Sequence, residues 1–379
     1  MFRGGMLSKS YHLFKDYVRS NDAGSDNRAH MREAIAWLYR AQDSSQDGGV
    51  SHSYAIGKGW APSYPETTGY IIPTLFNWAH VTGESEARER ALRMADWEIG
   101  IQNADGSIPG LSTGEPVVFD TGQVLFGFVS AFENTGEEKY LAAAEKAGNW
   151  LVDSCDEDHV WRKHGNPGSD NVNLYNVRFA WALLALWKLT GRAAYRETVE
   201  GFLKWVLRQE AGRGWFKHNC LNDNARPLLH TIAYTSQGLL ECGLMLNDDK
   251  CVAAAERTSL ELMKHIGGDG RMPGRFDSEW RPAARWSCVT GMAQTSIVWR
   301  RLAERSGGKG FLEASDKVNG FLRKVHDITS SDPGIRGGVK GSFPVNGAYG
   351  RYRVLNWAAK FFVDALMLEE HRGFKKPLY

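Results

Sequence analysis

Apolar and polar positions along this chain alternate between two kinds of helical segment. One kind is apolar on nearly every face: "TGYIIPTLFNWAHVTG", "TGQVLFGFVSAFENTG", "VRFAWALLALWKLTG", "TSQGLLECGLMLNDD", "TGMAQTSIVWRRLAERSG" and "NWAAKFFVDALMLEEH". These open near Thr68, Thr121, Val177, Thr235, Thr290 and Asn356, at intervals of 53 to 66 residues. The other kind carries one apolar stripe and a face of Glu, Lys and Arg, as in "SEARERALRMADWEIGIQ" and "EKYLAAAEKAGNWLVDS". A helix apolar all round is buried on both sides, and one with a single stripe has a wet face. Each interval is long enough for one helix of each kind and two connections.

Six buried helices paired with six amphipathic ones predict an (α/α)6 toroid, a closed double ring. An N-terminal helix, "NRAHMREAIAWLYRAQ", supplies the outer partner that the last inner helix lacks, which favours closure over an open solenoid. The organisation expected is an N-terminal extension over residues 1–26 and a single toroid domain over 27–379.

Composition narrows the function classes. The chain has 379 residues, 42% hydrophobic and 24% charged, with a net charge of +2. That charge is too small to argue for nucleic acid or an anionic membrane. No apolar run approaches the roughly 20 residues that span a bilayer, and the N-terminus lacks a signal-peptide core. The five Cys are odd in number and widely spaced, so no disulfide framework is expected. These features point to the cytoplasm. Fourteen Trp, by contrast, imply large packed contacts or an aromatic-lined pocket.

Two inner helices open on a carboxylate: "PETTGYIIPTLF" with Glu66 and "FDTGQVLF" with Asp120. In a toroid all inner helices run the same way, so their N-termini converge on one mouth. Free N–H groups and the helix dipole favour acids and polar ligands there. The same logic collects Tyr64, Thr67, Tyr70, Gln123, Asn173, Tyr175, Asn176, Arg178, Gln237, Arg285, Trp286, Tyr349, Arg351, Tyr352 and Asn356 as candidates for binding. Aromatic rings offer platforms for sugars, and amides and guanidinium groups bond hydroxyls and carboxylates. A glycosidase needs two carboxyl groups at the scissile bond, and Glu66 and Asp120 stand at equivalent places in adjacent hairpins. Asp120 is the first choice for the essential group. The plain alternatives are that Asp120 caps its helix and that Glu66 occupies a first turn.

A second candidate is the stretch Asn222–Gly238, where His230 and Tyr234 are four residues apart and share a face if the helix begins early enough. With Arg178 they form a set suited to proton abstraction from a uronate or a sugar carbon. The Gly-rich aromatic loop Gly338–Trp357 reads as a wall or flap of the site, and the polar loop His164–Asn176 as a lip. The acidic run Asp156–His159 reads as a solvated turn on the opposite face of the ring. Neither metal nor cofactor is expected: "KHNC" offers His218 and Cys220 with Cys288 elsewhere but no adjacent Cys-His pair, and "GGVKGS" lacks the phosphate-loop spacing. Cys288 reads as a buried thiol.

The Gln-x-x-Asp-Gly turns, the Thr-Gly-led inner helices and the period resemble those of the six-hairpin glycosidase and terpenoid-cyclase-like toroids, over roughly Asn27 to Glu370. The absence of an Asp-x-Asp-Asp motif weighs against terpene cyclisation. "PETTGYIIPTLF", "FDTGQVLFGF" and "GSFPVNGAYGRYRVLNWAAKFFVDAL" are also similar to stretches of toroid proteins of bacterial exopolysaccharide biosynthesis. The resemblance implies a glycan context. The expected function is glycoside hydrolysis of an oligo- or polysaccharide that can include uronic acids. The alternatives are a uronate lyase or sugar epimerase using His230, Tyr234 and Arg178, and a non-catalytic glycan-binding scaffold.

Overall fold

A computed structural model describes residues 2–18, 26–112, 114–165, 172–371, 373–374 and 379, with side chains from residue 7 onward. Six inner helices form a ring: α3 (Pro65–Thr82), α5 (Val118–Thr135), α7 (Val177–Thr190), α9 (Leu229–Leu246), α11 (Val289–Ser306) and α13 (Asn356–Glu370). Each packs on the next, and α13 returns to α3. The outer ring is α2 (Asn27–Asp43), α4 (Ser85–Ile101), α6 (Glu138–Asp153), α8 (Ala193–Arg208), α10 (Asp249–Met263) and α12 (Lys309–Val325). Helix α2 lies against α13, so the start of the toroid completes its end. The expected (α/α)6 architecture is therefore the observed one.

The recurring motifs have a structural cause. In the Asp-Gly turns that follow α2 and α4, Gln42 and Gln102 donate from Nε2 to the carbonyls of Gly48 and Gly106. Asp47 and Asp105 accept the N–H groups of Gly49 and Ser107. The next residue of each turn is then pinned to an inner helix: Val50 N–H donates to Thr68 Oγ1 at 3.0 Å, and Ile108 N–H to Thr121 Oγ1 at 2.9 Å. The glycine after each threonine lies at the crossing with the next inner helix. A Cβ on Gly69 would lie 2.5 Å from Val124 Cα, and one on Gly122 would lie 2.2 Å from Phe179 Cβ. Only glycine permits so close an approach. The Thr-Gly pair thus anchors a mouth loop and lets adjacent inner helices touch.

The mouth loops carry short antiparallel strands. β1 (Ser53–Ala55) pairs with β2 (Gly59–Trp60) and with β5 (Arg353–Leu355), and β3 (Ser287–Cys288) pairs with β4 (Ser342–Phe343). The loop 338–357 is thereby stitched to the loops before α3 and α11, which makes it a wall. The N-terminal helix α1 (Phe2–Val18) straps the same loop. Asp16 pairs with Lys340 and accepts the Val345 N–H at 2.8 Å, and Lys15 pairs with Asp327. At the other end of the ring axis, the buried Tyr379 ring stacks 5.0 Å from Phe126 and lies 5.2 Å from Trp181. Among the described residues, no helix is long and apolar enough to cross a membrane.

Candidate active site

The inner helices begin earlier than their apolar runs suggest: α3 at Pro65, α5 at Val118 and α9 at Leu229. Glu66 and Asp120 therefore sit inside first helical turns, and no side chain caps α3 or α5. The early start of α9 also satisfies the condition set on His230 and Tyr234. Their rings lie 4.3 Å apart on one face of its first turns.

These helix starts surround a cavity of about 320 Å³. Helix α3 and the residue before it contribute Tyr64, Glu66, Thr67 and Tyr70, and α9 contributes His230, Thr231 and Tyr234. Phe119, Tyr175, Tyr349, Trp357, Ser112 and Leu221 complete the lining. Tyr349 belongs to the loop 338–357 and its hydroxyl accepts from Trp357 Nε1 at 2.9 Å. Trp357 stacks on His52 at 6.3 Å. The proposed lip is described only in part, since residues 166–171 lie outside the described residues.

The two acids act on each other electrostatically. Tyr64 donates to Glu66 Oε2 at 2.5 Å, and the same hydroxyl favours the charged form of Asp120. Glu66 keeps partial access through the cavity, whereas Asp120 is 1% exposed and lies behind the lining, with no protein partner for Oδ1. Burial pushes the Glu66 carboxyl up to about 7, against the pull of the Tyr64 hydrogen bond. Burial, and then the charge of Glu66, push Asp120 well above the usual carboxylate range. Desolvation overrides the helix dipole at both positions. The pair holds protons near neutrality, and Glu66 is the member that faces the cavity.

His230 is held the other way. Its Nδ1 is 2.6 Å from Gln294 Oε1, so the N–H is fixed there and Nε2 is left as the basic nitrogen. Burial, together with the charge of Arg178, pulls its pKa down to about 4, so the imidazole is neutral at pH 7. Burial raises the Tyr234 phenol above its ordinary range, against the pull of the neighbouring Tyr70 hydroxyl. A protonated carboxyl and a neutral imidazole therefore line one cavity, which equips it for acid–base chemistry.

The remaining candidates divide by depth. Gln123, Asn176, Arg178 and Gln237 are buried and do not line the cavity. Arg178 is 0% exposed, its three nitrogens make no hydrogen bond, and its guanidinium lies 5.8 Å from the Tyr234 ring and 5.7 Å from that of Phe361. Burial lowers its pKa to about 10. Asn356 ties the wall together, donating to Thr67 Oγ1 at 2.8 Å and to the Ser51 carbonyl. Asn173 is buried beside the cavity residue Tyr175. Arg285 and Trp286 line a separate groove with His265 and Asp269. Arg351 is exposed, and Tyr352 lies beneath Lys9 of α1.

Three positions differ from, or add to, the sequence reading. Outer helices run toward the mouth, so the Asp156–His159 turn lies on the mouth face; there Arg162 pairs with Asp156 and Asp158. Gln294, which orients His230, was not among the candidates. Its signal was the amide two to four residues after the helix-opening threonine, as at Gln123 and Gln237. Phe119 also lines the cavity, directly before Asp120. Among the described residues no metal-ligand cluster of three or more His, Cys, Asp or Glu is gathered, and burial pushes the Cys288 thiol up to about 12.

No protein-family model matches the sequence, and no curated protein matches it. Solved structures do match. One is an unsaturated glucuronyl hydrolase from Bacillus sp. GL1, described as responsible for glycosaminoglycan degradation, at TM-score 0.74 and 16% identity, covering 93% of this chain and 99% of that one. A second is cellobiose 2-epimerase from Bacillus thermoamylovorans B4167, at TM-score 0.73 and 10% identity, covering 90% and 97%. A third is a sugar epimerase from a ruminal bacterium, at TM-score 0.71 and 12% identity, covering 97% and 99%. At such identities the likeness speaks for the fold alone, and the chain is a six-hairpin (α/α)6 toroid of the kind these enzymes share.

Proposed function

We propose that this protein is a carbohydrate-active enzyme that hydrolyses a glycosidic bond in the mouth cavity. The observation that carries the reading is Glu66, turned to the cavity and bonded by the Tyr64 hydroxyl, its carboxyl pushed up to about 7, with the buried carboxyl of Asp120 electrostatically coupled to it. Glu66 gives its proton to the leaving glycosidic oxygen. Water adds at the anomeric carbon, and the proton it loses returns to the pair, which Asp120 completes from behind. The aromatic lining supplies faces for sugar rings. The fold shared with glucuronyl hydrolases and sugar epimerases supports a glycan substrate. A role in bacterial surface-polysaccharide production inside the cell rests on the sequence resemblance described above.

The test is release of reducing ends from a panel of oligosaccharides by the parent protein, Glu66→Gln and Asp120→Asn. Loss of about 10²-fold or more in Glu66→Gln is expected for a missing general acid. Binding of glycans without turnover by the parent protein makes it a scaffold and refutes the reading.

A second reading, epimerisation at a sugar carbon, is favoured by the fixed neutral imidazole of His230 beside Tyr234. Its test is deuterium entry from D2O into an unmodified sugar. Exchange that survives Glu66→Gln and vanishes in His230→Asn would replace hydrolysis with this chemistry.

A further inference from the structure

We propose that the cavity accepts an uncharged sugar unit and discriminates against a uronate. The inference rests on the carbohydrate reading and names the substrate class of the same site.

The polar groups facing the cavity are mainly hydroxyls, those of Tyr64, Tyr70, Tyr234, Tyr349, Thr67 and Thr231. Hydroxyls donate and accept, which suits sugar hydroxyls. Recognition of a carboxylate calls instead for a cation or a fork of N–H donors. Among the described lining residues there is no Lys or Arg.

The arginines of the mouth loops are engaged or placed elsewhere: Arg162 pairs with Asp156 and Asp158, Arg226 pairs with Asp223, and Arg275 donates to the Arg226 carbonyl and to Asn222 Oδ1. Arg178 is walled off behind the rings of Tyr234 and Phe361. Arg353 donates from Nη1 to Ser53 Oγ at 3.1 Å. Arg351 and Arg285 are exposed, the first over the Tyr352 ring and the second in the separate groove. What a uronate would meet is Glu66, with Asp120 behind it. An added carboxylate there forces either a further proton onto the pair or an unscreened like-charge contact. The inference sets this cavity apart from those of the glucuronyl hydrolases that share its fold.

The experiment is calorimetric titration of the full chain with matched disaccharides in the gluco, galacto and manno series. Each pair consists of a neutral β-linked disaccharide and its counterpart with the non-reducing unit oxidised to the uronate. At pH 8.5 the neutral member is expected to bind at least about tenfold more tightly, since like charges a few ångströms apart in a partly buried site repel by more than a tenfold factor. The ratio should narrow at pH 5.5, where the pair is protonated, and Glu66→Gln should raise uronate affinity at pH 8.5. Equal or tighter binding of the uronates at pH 8.5 overturns the inference and leaves the carbohydrate reading standing. Absence of binding by every member of both series overturns the carbohydrate reading itself, and the inference with it.

Discussion

Replacing Glu66 with Gln should make the protein more stable at high pH. The ordinary carboxyl value for Glu66 is 4.5, and in the folded protein burial raises it to about 7. Between these values the folded state binds more protons than the unfolded one. Stability contributed by protonated Glu66 is therefore complete below about 4.5, falls as pH rises, and is gone above about 7. The displacement corresponds to about 3 kcal/mol at about 1.4 kcal/mol per pH unit. Gln is uncharged, nearly isosteric, and can still accept the Tyr64 hydrogen bond, so at pH 8.5 Glu66→Gln should recover up to that amount. For 379 residues an unfolding entropy near 2.1 cal/mol/K per residue converts this to a rise in Tm of about 4 °C. At pH 4 the two proteins should melt together. The assay is thermal unfolding at fixed scan rate across pH 4 to 8.5, with Asp120→Asn as a second variant of the same sign. A Glu66→Gln protein that melts lower than the parent by the same margin at both ends of that range would refute the reasoning, because the carboxyl would then be held as an anion or as a purely structural acceptor.

Other expectations follow from the packing. Gly122→Ala should destabilise by about 1–3 kcal/mol or more through overpacking against Phe179, while Gly100→Ala, on an outer helix with open space around it, should stabilise by about 0.5–1 kcal/mol; chemical denaturation of the two variants compares them directly. Thr68→Val removes the acceptor of the buried Val50 N–H and should cost about 1–3 kcal/mol, read by the same denaturation and by faster hydrogen exchange of that amide. Tyr379→Ala strips a buried ring from Phe126 and Trp181 and should cost about 3 kcal/mol, with Lys360→Met as a comparison that removes the amine bound to the Tyr379 main-chain oxygen.

Much of the architecture was legible because burial on two sides and burial on one side leave different patterns. Helix α5 is buried without interruption from Val118 to Ala131, whereas α6 is buried only along a stripe through Tyr140, Ala144, Ala147 and Leu151. Convergence of the inner-helix starts followed from topology alone, and it brought Glu66, His230 and Tyr234 to one cavity. Helix starts were less legible, since α9 begins at Leu229 inside a loop whose order depends on distant partners such as Thr231 Oγ1 donating to the Asn219 carbonyl. Depth could not be read either. Arg178 lies one helical position from Val177 at the start of α7 yet is fully buried, and Asp120 lies behind the lining where Glu66 lies in it. Strands of two and three residues, such as β3 and β5, are too short to show a period. The strap formed by α1 depends on Asp16 and Lys15 meeting residues more than 300 positions away, which no local pattern reports.

The pH dependence of kcat/KM for reducing-end release tests the central claim most directly. A protonated Glu66 as the acid predicts a rate that falls above about pH 7, with the falling limb abolished, along with most of the activity, in Glu66→Gln. A rate that is flat through pH 7, or a falling limb that persists unchanged in Glu66→Gln, would contradict it.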